Sequence, residues 1–104
     1  MDRFTAPIAQ QIIDKAVKKG VTVVASAGNN SDDQYSFPAS CDGVISVAAT
    51  NSSGIRSYYS SFNNSVDIAG PGGDADTNAD YGWGRDRIWA FDSNSGLAGY
   101  QGTS

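Results

Sequence analysis

Three stretches of the chain carry side chains suited to chemistry. Ala25-Ser-Ala-Gly-Asn-Asn30 ends a β-branched run on Asn29, whose amide is a neutral donor suited to an oxygen that gains negative charge. Gly102-Thr-Ser104 sets a glycine, which lets a substrate approach closely, before a hydroxyl that becomes nucleophilic only beside a base. Asp74-Ala-Asp-Thr-Asn-Ala-Asp80 spaces oxygen ligands at alternate positions, as a calcium loop does. Each has a plainer reading. Gly28-Asn29-Asn30 serves equally as a turn, and Ser104 as an ordinary surface serine. The acidic stretch is better read as a solvated turn. An EF-hand needs glycine at position six and glutamate at position twelve, where Ala79 and Arg85 stand.

The 104 residues include no histidine, the base that most often activates a serine. The single Cys41 cannot form a bridge within the chain, so it is a small buried apolar residue or half of a bridge to something outside it.

The elements that must position these groups begin with a helix over residues 7–19. Ile8, Ile12, Ile13, Ala16 and Val17 recur at helical spacing. Thr5 suits the N-cap, Pro7 the first turn, Lys18 and Lys19 the C-terminal dipole, and Gly20 the position just past the end. Three β-branched runs follow, at 21–25, 44–49 and 66–69. Their near-continuous apolar character predicts a parallel sheet meant to be covered on both faces, hence an α/β fold. One helix cannot cover both faces. The segments between the runs are Asn/Ser/Asp-rich. From Pro71 to Gly99 the sequence is rich in Gly and Asp, with Trp83, Trp89 and Phe91 interspersed, and reads as a long loop. A core short of a covering layer predicts that residues 1–104 are a fragment of a larger domain.

Eleven acidic and seven basic residues give a net charge of −4, which argues against a nucleic-acid surface. No apolar run approaches the roughly 20 residues that span a membrane, and Met1-Asp-Arg-Phe-Thr5 does not have the pattern of a signal peptide.

Taken in order, the motifs resemble the subtilisin-like serine proteases. A strand ends in Ala27-Gly-Asn29, Pro38-Ala39 leads into Val44-Ile-Ser-Val-Ala-Ala49, then come Tyr59-Ser-Ser-Phe62, Val66-Asp-Ile-Ala-Gly-Pro-Gly72 and Gly102-Thr-Ser104. The match runs from Val21 to Ser104, interrupted by an unaligned insertion over about 73–99. The resemblance implies part of a three-layer α/β sandwich with a parallel sheet, within a secreted endopeptidase that works through an acyl-enzyme.

Residue by residue, it implies that Ser104 is the nucleophile. Asn29 would be the side-chain donor of the oxyanion hole, with the Ser104 backbone N–H as its partner. Ala27 and Gly28 would form a wall of the pocket for the residue before the scissile bond, and Asn30 its polar floor. Backbone carbonyls near Ala39, Cys41 and Val44, with the Asp67 carboxylate, correspond to a weak cation site, calcium being a possible structural occupant. No cofactor is required for the chemistry. The family's Asp and His motifs belong upstream and do not occur here. The chain alone is therefore expected to be inactive, its partners being peptide or protein substrates and the remainder of the catalytic domain, with no nucleic acid and no membrane. The rival expectation is a non-catalytic α/β module that binds calcium or a protein through the insertion.

Overall fold

The computed structural model describes residues 7–75, 87–94 and 96–104. Helix α1 spans Pro7–Lys18 and is followed by strands β1 (Val23–Ser26), β2 (Val44–Thr50) and β3 (Ile68–Pro71). These pair parallel in the order β1-β2-β3. The N-cap expected at Thr5 lies outside the described residues.

The helix stops where its sequence says it should. Val21 N–H bonds the Ala16 carbonyl at 3.0 Å and Gly20 N–H bonds that of Val17 at 3.0 Å. This double closure needs a left-handed residue at its centre, and Gly20 supplies it with φ +85°. Along α1, Ala9 and Ile13 are one turn apart; Ile13 forms a core cluster with Cys41 and Val44, and Ala9, Val23 and Ala25 pack against it. Cys41 thus serves as a small core residue. The Gln10 amide secures the arrangement: it donates to the Asp42 carbonyl at 2.9 Å and accepts from the Asp42 N–H at 2.8 Å.

The register fixes which side chains share a face. Val24 pairs Ile45 and Val47 pairs Ile68. Because side chains alternate along a strand, these four stand on the face away from Val44 and α1. Within the described residues no helix covers that face: Val24 is 59% and Ile68 60% exposed, while Val47 is half-buried. The sheet is therefore α/β with a parallel ladder, as expected, and helix-covered on one side.

Two features differ from the sequence reading. The first and third strands start two residues later than their apolar runs: Val21 N–H is spent on closing α1, and Val66 N–H on a turn to the Asn63 carbonyl. The glycine-rich stretch read as a loop contains an antiparallel hairpin, β4 (Ile88–Phe91) with β5 (Leu97–Tyr100). Its turn is organised by Asp92, whose Oδ1 accepts the N–H groups of Asn94 and Gly96 at 2.9 Å each. Residues 76–86 of that stretch, including Trp83, lie outside the described residues.

Candidate functional site

Asn29 stands just past the carboxyl end of β1, where a parallel sheet presents backbone and side chains to a ligand. The path to it is fixed by backbone bonds. Ala27 N–H extends the ladder to the Val47 carbonyl at 2.8 Å, and the Ala27 carbonyl accepts the Ser36 hydroxyl at 2.8 Å. Gly28 adopts φ +119°, and a β-carbon there would lie 3.0 Å from Ser61 Oγ. Its carbonyl accepts the Ser61 N–H at 2.9 Å, and the Ser61 hydroxyl accepts the Asn30 N–H at 3.4 Å. Ala27 is buried, whereas the Asn30 side chain is exposed.

The Asn29 side chain reaches across 74 positions of sequence. Its Oδ1 accepts both the Thr103 N–H and the Thr103 hydroxyl, each at 2.9 Å. A local turn would account for neither bond. Two donors identify that end of the amide as oxygen, so Nδ2 is the end turned away from Thr103. Nδ2 and the Ser104 hydroxyl each lie 3.5 Å from the point where a β-carbon on Gly102 would sit. Gly102 thus leaves open a space flanked by an amide donor and a hydroxyl. Gly28 N–H closes the cycle by donating to Thr103 Oγ1 at 3.2 Å.

The floor of this arrangement is a close crossing of backbones. Gly102 N–H donates to the Gly72 carbonyl at 3.0 Å. A β-carbon on Gly72 would overlap the Gly102 carbonyl oxygen and stand 2.8 Å from Ala49 Cβ, so only glycine fits. Beside the crossing, a cavity of about 570 Å³ runs from Gly72 and Gly102 to Ser104 and is walled by Ile88, Ala90 and Tyr100 of the hairpin.

Residues 2–104 match the sequence profile of the subtilase family. The chain belongs to the subtilase family. Over 64 residues, 61% of the chain, it is 45% identical to an extracellular protease of Xanthomonas campestris pv. campestris, covering 11% of that protein. Over 90 residues, 86% of the chain, it is 32% identical to a subtilisin-like protease of Coccidioides posadasii, covering 19% of it. Among solved structures, a protease of Pseudoalteromonas arctica superposes with a TM-score of 0.77 at 30% identity, over 90% of this chain and 29% of that one. This subtilase chain therefore spans about a tenth to a fifth of the length of these curated relatives.

The residues assigned to a weak cation site are less clearly assembled. Cys41 and Val44 face the core under α1, and Ala39 is buried nearby in sequence. The Asp67 carboxylate accepts the Ser46 N–H at 2.9 Å, and the Cys41 carbonyl accepts that of Val44 at 3.4 Å. Among the described residues no three acidic or cysteine side chains converge as a metal cluster would require. Asp74, first of the acidic stretch, is turned inward to Asn51 Nδ2 and the Tyr58 N–H, both at 3.3 Å. Asp76 and Asp80 lie outside the described residues.

Thr103 and Tyr59 stand within the quoted motifs, but the sequence assigns neither a role. Thr103 was the middle of a tripeptide, and only its pairing with Asn29 shows what it holds. Burial pushes the Tyr59 hydroxyl above its ordinary pKa, so it stays protonated and able to donate.

Proposed function

We propose that this chain supplies the nucleophile and the oxyanion-stabilising amide of a secreted subtilisin-like serine endopeptidase. Ser104 Oγ attacks the peptide carbonyl, and the carbonyl oxygen takes the electron pair of the broken π bond. The Asn29 Nδ2 and the Ser104 backbone N–H donate to that oxygen, an interaction stronger with the tetrahedral anion than with the neutral carbonyl. Collapse expels the amine and leaves an acyl-serine, which water then hydrolyses. A histidine from elsewhere in the catalytic domain takes the Ser104 proton and passes it to the leaving amine. With no histidine among its 104 residues, the chain alone is inactive in this reading. Ala27, Gly28 and Asn30 border the pocket for the residue preceding the cleaved bond. Relatives named as extracellular proteases support secretion of the parent.

The observation that carries the proposal is the orientation of Asn29. Its oxygen is held by Thr103, which leaves Nδ2 beside the space that Ser104 also flanks. In the full-length protease, Asn29→Leu is expected to lower kcat with KM little changed, because the bond belongs to the transition state. The scale is taken from loss of an oxyanion asparagine in a subtilisin, about 10²–10³ in kcat. Full kcat per titrated active site in Asn29→Leu would remove the residue from the mechanism.

A further inference from the structure

Two parts of the site come from distant parts of the chain. The Asn29 loop leaves β1, while Ser104 follows the hairpin and is anchored by the crossing of Gly102 over Gly72. One residue touches the supports of both, the first through its main chain and the second through its side chain. Tyr59 is buried at 7% exposure, and its hydroxyl lies 2.8 Å from the Gly72 carbonyl and 2.7 Å from that of Gly73. The same Gly72 carbonyl accepts the Gly102 N–H at 3.0 Å. On the other side, the Tyr59 main-chain carbonyl accepts the Ser31 N–H at 2.8 Å, two residues beyond Asn29. Two residues further along the same segment, Ser61 N–H holds the Gly28 carbonyl.

The neighbouring tyrosine extends the contact. Tyr58 packs edge-on against the Tyr59 ring at 5.3 Å between centroids, and its hydroxyl accepts Gln101 Nε2 at 3.0 Å. Gln101 Oε1 in turn accepts the Ala75 N–H at 2.8 Å. Both tyrosines therefore grip the segment that delivers Ser104, one through Gly72 and Gly73 and the other through Gln101.

Resting on the reading of Ser104 as nucleophile, we propose that Tyr59 is a positioning residue, whose hydroxyl sets the height of the Gly102–Ser104 segment against the Asn29 amide. A catalytic arrangement tolerates only about 0.5 Å of misplacement before rate suffers. A backbone crossing with glycine on both strands has no side chains of its own to hold that distance. The hydroxyl adds a side-chain constraint to the Gly102 N–H bond and to the bonds between Thr103 and Asn29.

The structure also offers a variant that separates this role from folding. In Tyr59→Phe the ring and its packing remain. Gly72 O keeps the Gly102 N–H, and Gly73 O keeps the Ser57 hydroxyl at 2.6 Å. No carbonyl is left without a partner, so the protein should fold. In the full-length protease, kcat per titrated active site should fall about five- to tenfold for Tyr59→Phe, with KM within about twofold, since alignment of the attacking and stabilising groups matters most in the transition state. The fluorophosphonate labelling rate of Ser104 should fall by a similar factor. Wild-type kcat and labelling in Tyr59→Phe would overturn the proposal. So would a variant that cannot be recovered folded, which would make Tyr59 a structural residue, or a loss confined to KM. Undiminished hydrolysis by Ser104→Ala would instead defeat the underlying reading, so the two failures are told apart.

Discussion

Thr103 holds the Asn29 amide with a backbone N–H and a hydroxyl, and only the second depends on its side chain. The hydroxyl also accepts the Gly28 N–H, so it ties the amide and its loop to the serine segment at one atom. Thr103→Val keeps the shape and removes both of these bonds. A typical net hydrogen bond is worth about 1 kcal/mol, roughly fivefold in rate if its loss is felt in the transition state. In the full-length protease, kcat is expected to fall about fivefold in Thr103→Val and to be retained in Thr103→Ser. Active-site titration with initial rates checks this, and full kcat in the valine variant would contradict it. At this scale the order of five motifs could be read without coordinates, and it drew attention to Asn29 and Ser104, whose roles remain the proposal. It placed Thr103 and Tyr59 in motifs but was silent on what they do. Their roles are contacts across 74 and 13 positions, and no local pattern encodes such a contact.

Among the elements, helix α1 and the three strands were legible because each carries its own signal, a helical stripe with a glycine stop or a β-branched run. The hairpin was not. β4 and β5 are four residues each, and the turn between them is set by the Asp92 side chain rather than by an Asn-Gly pair. The crossing of Gly72 and Gly102 was hidden for a similar reason, since a glycine required by another strand looks like a glycine in a loop. It gives a paired test. Gly72→Ala sets a β-carbon against the Gly102 carbonyl, a backbone atom that cannot swing aside, whereas Gly70→Ala has nothing within 4 Å and no left-handed φ. Denaturant unfolding of the full-length protease should show Gly72→Ala destabilised by about 1–3 kcal/mol, the usual cost of overpacking, with Gly70→Ala close to wild type. Equal stability of the two would mean that the strands do not cross so closely.

For the molecule as a whole, what this chain presents to solvent is as informative as what it buries. Val24, Ile45 and Ile68 lie exposed on one sheet face, while α1 shows Ile8 and Ile12 outside the contact with Ile13. Apolar surface gathered on one face marks a place where other protein packs. In the proposed reading the rest of the catalytic domain covers it and brings the histidine, as the expectation of a fragment required. The central claim is that Ser104 becomes a nucleophile in that setting. The most direct measurement is fluorophosphonate labelling of the full-length protease, with the modified residue located by peptide mapping, beside the 104-residue chain alone. Stoichiometric modification of Ser104 in the full-length protein, none in the isolated chain and none in full-length Ser104→Ala is the predicted result. A full-length protein that hydrolyses peptides while Ser104 stays unmodified would contradict the account.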